Sequence, residues 1–228
     1  MQFIRETQPF DRRPVLMTSH YLPCLEYFAC IIQAGGVIIE SHENFQKQTF
    51  RNRCYIQTAN GVEMLTVPVV KPAGKVPIRD IRIDYGQLWG KKQWRCLVSA
   101  YANSPFFEYY APDFQRIYES RPAFLFDLNQ QMLTLCLHLL RAKVTLSYTL
   151  SYEAEPECPV FDARSCINGK KNVNRYQFYT PYPYYQTFGN DFSDNLSIAD
   201  LLFNTGPQAL EVLKKSVKDC PVTLLNEL

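Results

Sequence analysis

The first forty residues predict a βαβ unit from their pattern of apolar and polar positions. Val15–Thr18 is a short apolar run, which is typical of a buried strand. A helical period follows, with apolar residues at positions i, i+3, i+4 and i+7: Leu25, Phe28, Ala29 and Ile32. Gly35 and Gly36 end this helix, and Val37–Ile39 predicts a second buried strand. Two strands joined by one helix are expected to run parallel in the same sheet.

The segment after the second strand predicts an antiparallel hairpin. Cys54–Ala59 and Val62–Val70 flank Asn60 and Gly61, two residue types that tolerate positive φ at both centres of a type I′ turn. Farther along, Ile78–Asp84 alternates apolar with charged residues, which predicts a half-buried strand.

Helical periods dominate the rest of the chain. One helix is predicted from Gln87 to just before Ser104, because Trp94, Leu97, Val98 and Tyr101 share one face. Two shorter helices are predicted on either side of Pro112: Phe106–Tyr110 and Asp113–Glu119. The remaining elements are an amphipathic helix, a β-rich segment and two short helices: Pro122–Arg141, Val144–Tyr152, Ser197–Asn204 and Pro207–Val217.

These elements predict an α/β fold. An N-terminal βαβ unit and an antiparallel hairpin would form a mixed sheet, packed against a helical C-terminal half. Residues 1–13 are polar and are predicted to form an N-terminal arm, followed by a single domain over residues 14–228. Within that domain we expect a mixed-sheet portion, a helical portion and a loop-rich and helical tail: 14–84, 87–141 and 142–228.

Composition and charge exclude several classes of protein. Lys and Arg total 24 against 22 Asp and Glu, so we expect no nucleic acid partner, whose binding requires many neutralised phosphates. The longest uncharged apolar-rich runs, Tyr27–Ile39 and Leu128–Leu140, are shorter than the roughly 20 residues of a transmembrane helix. The N-terminus shows no signal peptide, and the eight cysteines lack any C-x-x-C pair, so we expect reduced thiols in the cytoplasm.

Motifs for metals and common cofactors are missing from the sequence. The chain has three histidines, and no cysteine pair has the spacing of zinc ligands. Neither a phosphate-binding G-x-x-x-x-G-K loop nor a dinucleotide-binding G-x-G-x-x-G loop occurs. We therefore predict no metal and no cofactor.

Polar residues follow both strands of the predicted βαβ unit. Thr18–Pro23 places His20 at a helix N-terminus, where unpaired backbone N–H groups attract anions. Glu40–Lys47 leaves the second strand and carries His42 and Glu43. Because both strands would end at the same sheet edge, a usual place for a ligand crevice, we predict His20, His42 and Glu43 as acid–base residues. The alternative is a solvated loop with incidental charges.

Basic, amide and aromatic side chains near these residues are the predicted substrate-binding groups: Tyr21, Asn44, Lys47, Arg51, Asn52, Arg53, Trp94 and Arg95. Trp89–Arg95 interleaves aromatic and basic residues, so it can clamp a phosphate or stack a base or sugar ring. It equally suits an ordinary helix with Trp94 inside and lysines outside. The basic segment Arg164–Arg175 is predicted to be a loop of solvated charge.

Several motifs resemble the WbqC-like protein family. They are Tyr21-Leu-Pro23, Glu40-x-His-Glu-Asn-Phe-x-Lys-Gln-Thr-Phe-Arg-Asn-Arg-Cys54, Thr58-Ala-Asn-Gly61, Ser104-Pro-Phe-Phe107 and Asn195-Leu-Ser-Ile-x-Asp-Leu-Leu-Phe-Asn204. The resemblance runs from about residue 14 to 207, and His42–Cys54 is its most specific part. The His-Glu-Asn variant is similar to the branch found in Bacteroidetes-type bacteria. Lys47, Asn52 and Arg53 match the broader family pattern.

The resemblance implies a role in surface-polysaccharide and lipopolysaccharide (O-antigen) biosynthesis, because the family is often encoded with those genes. We expect an enzyme, specifically a group transferase, that acts on a nucleotide-linked or otherwise activated sugar. Lys47 and Arg53 would hold anionic oxygens, His42 or Glu43 would act as base, and Asn52 would orient the substrate. The alternative is a noncatalytic sugar- or nucleotide-binding component of a polysaccharide assembly complex. The sequence carries no signal for an oligomeric state.

Overall fold

The structure of the protein is a computed structural model that describes residues 13–156, 159–167, 176–189 and 191–218. The predicted N-terminal arm lies outside the described residues except for Arg13, and so do residues 168–175 of the predicted basic loop. Across the described ranges, no helix is both long enough and apolar enough to span a membrane.

The predicted βαβ unit is confirmed. Strand β1 is Val15–Thr18, helix α1 is Leu25–Gln33 and strand β2 is Val37–Glu40. The strands pair in parallel, with Thr18 opposite Glu40. The residues that follow these two strands therefore lie at the same edge of the sheet.

Two more strands complete a four-stranded parallel sheet. Strand β5 (Leu146–Tyr148) pairs with β2, and strand β6 (Phe161–Asp162) pairs with β1, which gives the order β5-β2-β1-β6. All four strands end on one side, which we call the carboxyl edge. This edge of a parallel sheet is where ligands of open α/β folds bind. β5 lies within the predicted β-rich segment, whereas nothing in the sequence predicted β6.

The predicted antiparallel hairpin is also confirmed. Strands β3 (Arg53–Thr58) and β4 (Gly61–Thr66) pair over their full lengths, so β4 is shorter than the predicted Val62–Val70. Among the described residues they pair only with each other, which makes the hairpin a separate two-stranded sheet and not part of one mixed sheet. The hairpin packs on helices instead, and the backbone N–H of Gln57 donates to the Tyr101 hydroxyl at 3.3 Å.

The hairpin turn differs from the prediction by one position. Thr58 pairs with Gly61, so Ala59 and Asn60 are the two turn residues. Of these four residues only Gly61 has a positive φ, at 104°. A type I′ turn needs positive φ at both central residues, so that prediction is wrong. The glycine supplies left-handed backbone just after the turn.

The predicted strand over Ile78–Asp84 is wrong. Ile78–Asp80 is a single 3-10 turn, and beyond it only isolated bridges form, one of them at Arg82. The backbone N–H of Ile78 donates to the carbonyl of Glu43 at 2.9 Å. This segment therefore pairs with the loop after β2, which brings the 3-10 turn to the carboxyl edge.

Within the described residues, five helices follow the hairpin: α2 (Trp89–Tyr101), α3 (Phe107–Ser120), α4 (Leu125–Leu139), α5 (Ile198–Thr205) and α6 (Ala209–Lys215). Four of them were predicted within a few residues. The division at Pro112 is wrong, because α3 continues through it. Phe107, Ala111, Phe114 and Tyr118 form one buried stripe along α3, and this packing outweighs the hydrogen bond that proline removes.

One aromatic side chain, Phe203, contacts several helices. The ring of Phe203 on α5 lies 5.2 Å from that of Tyr101, 5.0 Å from that of Phe107 and 5.1 Å from that of Phe114. All four side chains are buried. Helices α2, α3 and α5 therefore share one core, which fixes the relative position of α2 and α3.

Candidate functional site

Glu40, the last residue of β2, is the centre of a charged cluster at the carboxyl edge. It is completely buried, yet both of its carboxylate oxygens accept hydrogen bonds. Oε1 accepts from the Thr149 hydroxyl at 2.7 Å and from the backbone N–H of His42 at 2.8 Å. Oε2 accepts from Arg164 at 3.2 Å. Because Thr149 follows β5 and Arg164 follows β6, one carboxylate joins three strand ends.

Arg164 neutralises this buried carboxylate. Its guanidinium also forms an ion pair with Asp162 at 2.7 Å and donates to the carbonyls of Glu153 and Ala154 at 2.8 and 3.0 Å. Its side chain is only 10% exposed. The prediction that Arg164 carries solvated charge is therefore wrong. Glu40 lies 124 residues away in sequence, so no local pattern could have revealed their pairing.

His42 lies at the rim of the cluster and is half-buried. Its Nε2 lies 2.8 Å from Nη1 of Arg79, and its Nδ1 lies 3.0 Å from Oγ of Ser41 and 3.4 Å from Oγ1 of Thr149. A guanidinium can only donate, so Nε2 accepts and the ring proton resides on Nδ1. Ser41 accepts that proton and donates its own to the carbonyl of Thr149 at 3.1 Å. These contacts assign one tautomer, with the Nε2 lone pair facing Arg79.

Arg79 is the exposed member of this arrangement. Its side chain is 52% exposed, and its carboxylate contact with Asp80 is long, at 4.0 Å. The 3-10 turn described above places it beside His42. Sequence reasoning missed Arg79, because the alternation of Ile78–Asp84 assigned it to the solvated face of a strand.

Glu43 and Arg51 form a buried ion pair with each other. Arg51 Nε donates to Glu43 Oε1 at 2.9 Å and Nη2 donates to Oε2 at 2.5 Å, with both side chains only 8% exposed. Burial raises the pKa of Glu43, and the contact with Arg51 opposes that shift. The predicted base Glu43 and the predicted substrate-binding residue Arg51 are therefore paired with each other in this structure.

His20 lies inside the protein, at the same sheet edge as His42. It is 3% exposed and packs against the rings of Tyr27 and Phe50, at centroid distances of 4.7 and 5.5 Å. Nε2 lies 2.7 Å from Oγ1 of Thr18, and Nδ1 has no hydrogen-bond partner among the described residues. Burial, aided by the positive charge of Arg51, lowers the pKa of His20 well below its usual value. The two histidines therefore share an edge but have different surroundings.

Four predicted binding residues lie between the end of β2 and the start of β3, and in the described part of the chain none of them hydrogen-bonds to His42. Asn44 and Lys47 are exposed. Asn52 is buried, and its side-chain amide donates to the carbonyl of Val67 at 3.0 Å. Arg53 is half-buried at the start of β3, and its Nε has no hydrogen-bond partner within the described part of the chain.

The remaining predicted binding residues lie elsewhere. The buried hydroxyl of Tyr21 donates to Gln93 at 2.6 Å and lies 2.5 Å from the hydroxyl of Tyr118. Trp94 on α2 is half-buried, with its ring 6.1 Å from that of Tyr118. Arg95 is exposed on the same helix. The predicted substrate-binding set therefore divides between the segment that follows β2 and the neighbourhood of helices α2 and α3.

This sequence is similar to known proteins over most of its length. The WbqC-like protein family matches residues 18–173 and 167–212. "Uncharacterized protein Rv1507c" from Mycobacterium tuberculosis is 28% identical over 227 residues, which covers 89% of this chain and 98% of that protein. No solved structure matches. The chain therefore belongs to the WbqC-like protein family.

Proposed function

We propose that this protein is a group transferase of surface-polysaccharide biosynthesis that acts on a nucleotide-linked or otherwise activated sugar, with His42 as its general base. One observation carries the proposal: the Nε2 lone pair of His42 lies 2.8 Å from the guanidinium of Arg79, whose side chain is 52% exposed. The family resemblance supports the pathway, because WbqC-like proteins are often encoded with surface-polysaccharide genes.

The hydrogen bonds on the far side of the ring prepare His42 to accept a proton. Ser41 and Thr149 hold Nδ1–H, and Glu40 in turn accepts from Thr149 and from the backbone of His42. A histidine fixed in this way keeps one tautomer and presents Nε2 as the basic atom. In the proposed reaction, Nε2 takes a proton from a sugar hydroxyl or amine. That oxygen or nitrogen then bonds to the transferred group, whose former bonding pair leaves with the departing group.

Arg79 supplies the link to an anionic substrate. A guanidinium binds phosphate or carboxylate through two parallel hydrogen bonds, which are stronger than a single bond to a neutral imidazole. An anion at the carboxyl edge would therefore draw Arg79 away from His42. The base would be uncovered only when the substrate is present, which couples binding to proton transfer.

Exposed apolar side chains beside Thr149 suit a sugar ring. Leu150 is 95% exposed, and Tyr148 and Tyr152 are 46% and 55% exposed. Tyr148 is the last residue of β5, and the other two follow it at the carboxyl edge. Tyrosine offers an apolar ring with a polar tip, which matches a sugar with C–H faces and hydroxyl edges.

A two-stage experiment tests this function. Native mass spectrometry of the purified full-length chain would first identify a co-purified sugar nucleotide, and a panel of sugar nucleotides with amine and hydroxyl acceptors would follow. His42→Gln should lower turnover about 100-fold or more while substrate binding survives, which is the scale of general base catalysis. His138→Gln, at an exposed histidine of α4, is the matched control.

The outcomes separate the enzyme from the binding component. Near-normal turnover of the His42→Gln variant would contradict the base assignment. A wild-type chain that binds a sugar nucleotide but turns over none of the panel would favour the noncatalytic binding component. Arg79→Ala should weaken binding by about 1.5–3 kcal/mol, the value of a charge-assisted hydrogen bond, whereas Arg116→Ala at an exposed ion pair should not.

A further inference from the structure

A cavity of about 240 Å³ lies between the beginning of α2 and the end of α3, and we call it the α2–α3 pocket. Three aromatic side chains form its walls: Tyr85, Trp94 and Tyr118. Two cations, Lys91 and Arg121, and the amide of Gln87 also line it. Pockets for drug-sized ligands are usually about 300–1,000 Å³, so this one suits a single flat ring system.

The aromatic walls are positioned by the protein interior before any ligand binds. Trp94 stacks against the buried ring of Phe107 at 6.1 Å, with an interplanar angle of 21°. The hydroxyl of Tyr21 donates to Gln93, so Tyr118 is the donor in the 2.5 Å contact between the two tyrosines. Trp94 and Tyr118 are therefore each held in position by a contact with a buried aromatic residue. Preorganised groups bind a ligand without a further loss of side-chain entropy.

The cations lie over and beside the aromatic walls. The guanidinium carbon of Arg121 lies 4.7 Å from the ring centroid of Tyr85. Lys91 is exposed in the first turn of α2, a turn that contains no acidic residue. Glu119 also lines the pocket, where it accepts a hydrogen bond from Gln115 at 2.7 Å. Its charge leaves the pocket with one net positive charge.

The backbone at Arg121 is unfavourable for an arginine. Its φ of 50° and ψ of 58° are left-handed, at the position after α3 where glycine is the preferred residue. Left-handed backbone at residues other than glycine is strained, and such strain is concentrated at ligand sites. The strained position holds the guanidinium over Tyr85, at the mouth of the pocket.

We propose that the α2–α3 pocket binds a nucleoside phosphate, with the base against Trp94 and Tyr85 and the phosphate on Lys91 and Arg121. Aromatic rings stack on any nucleobase, and the two cations match a phosphate. An uncharged sugar would leave both cations without an anionic group to bind. Inorganic phosphate would leave the aromatic walls without a ring to stack on them. The proposal is independent of the role of His42, because its residues lie on other elements.

Isothermal titration calorimetry on the full-length chain tests the pocket with AMP, GMP, CMP and UMP as probes. Each nucleotide should bind more tightly than its unphosphorylated nucleoside and than inorganic phosphate. Trp94→Leu should weaken nucleotide binding about 5- to 150-fold, which corresponds to the loss of one stacked base. Tyr109→Leu, at an aromatic residue of α3 that is 74% exposed, is the control.

A charge variant provides the second arm and remains informative if Trp94→Leu fails to fold. Arg121→Gly should weaken nucleotide binding about 10-fold or more and leave nucleoside binding unchanged, because it removes only the phosphate contact. Arg116→Ala, at an exposed arginine on the same helix, should leave both unchanged.

Three results would overturn the proposal. The first is the absence of binding by any of the four nucleotides at millimolar concentration. The second is nucleotide binding that neither Trp94→Leu nor Arg121→Gly weakens. The third is nucleotide binding that is lost in Arg79→Ala, which would place the nucleotide at the carboxyl edge and leave the transferase proposal intact.

Discussion

The carboxyl edge and the α2–α3 pocket gather polar groups in opposite ways. At the carboxyl edge, buried charges such as Glu40 and Arg164 are paired with each other, whereas His42 is half-buried and Arg79 is exposed. In the α2–α3 pocket the aromatic walls are fixed, while the charged groups Lys91 and Arg121 are exposed. The first region is a set of paired charges around His42. The second is a cavity with aromatic walls and two exposed cations at its mouth.

This difference has an energetic consequence. Removing one member of a buried ion pair leaves the other charged and desolvated, which costs about 3–5 kcal/mol. Replacing an exposed charge usually changes the free energy of unfolding by less than about 0.5 kcal/mol. The carboxyl edge should therefore be coupled to the stability of the fold, and the rim of the α2–α3 pocket should be nearly independent of it.

Breaking the Glu43–Arg51 pair is the strongest test of this contrast. Arg51→Met should lower the free energy of unfolding by about 3–5 kcal/mol, because Glu43 would remain buried without its partner. Urea titration followed by circular dichroism measures the change. Lys91→Met, at the rim of the α2–α3 pocket, should change it by less than about 0.5 kcal/mol.

A double variant separates the pair from the packing around it. Glu43→Leu combined with Arg51→Met should recover most of the lost stability, since an apolar pair of similar volume often replaces a buried ion pair without cost. A single Arg51→Met variant that loses less than about 1 kcal/mol would show that water screens this pair.

The buried histidine gives the carboxyl edge a pH dependence. The pKa of His20 is lowered in the folded protein and returns to about 6.5 in the unfolded chain. Below that pH the unfolded chain binds more protons than the folded protein does. The contribution of neutral His20 to the free energy of unfolding is therefore complete above about pH 6.5, and it is lost as the pH falls toward the pKa of His20 in the folded state. The loss is at most about 1.4 kcal/mol per pH unit.

Unfolding free energies at about pH 7.5, 6.5 and 5.5 measure this contribution. The stability advantage of the wild type over His20→Gln should shrink as the pH decreases. His138→Gln, which removes an exposed histidine of α4, is the control variant measured at the same pH values. Parallel pH curves for the wild type and His20→Gln would contradict the burial of a neutral imidazole.

The sequence predicted the parts of the fold that depend on neighbouring residues. The βαβ unit follows from local apolar periods, and this placed the segments of His20 and His42 at one edge. Pro112 misled the prediction, because packing along α3 is not visible in a local pattern. The Glu40–Arg164 contact spans 124 residues, so it became visible only with the tertiary structure.

The candidate sites show the same limit. Residue type identified His42, but its partner Arg79 depends on a 3-10 turn that the alternation of Ile78–Asp84 concealed. Tyr21 follows β1 and was grouped with His20, yet its side chain contacts α2 and α3. The direction of a side chain after a strand end depends on packing, which the local sequence does not encode.

Arg121 offers the smallest expected change in stability and the sharpest separation of stability from binding. Arg121→Ala keeps the left-handed backbone strain and loses the contact with Tyr85, so it should lower the free energy of unfolding by about 0.5–1 kcal/mol. Arg121→Gly loses the same contact but relieves a strain of about 1–2 kcal/mol, so it should be as stable as the wild type or more stable by about 1 kcal/mol. Urea titration of the two variants compares them directly. An Arg121→Gly variant that is no more stable than Arg121→Ala would contradict the strained backbone. An Arg121→Gly variant that is as stable as the wild type but binds nucleotide more weakly would show that Arg121 contributes to the pocket and not to the fold.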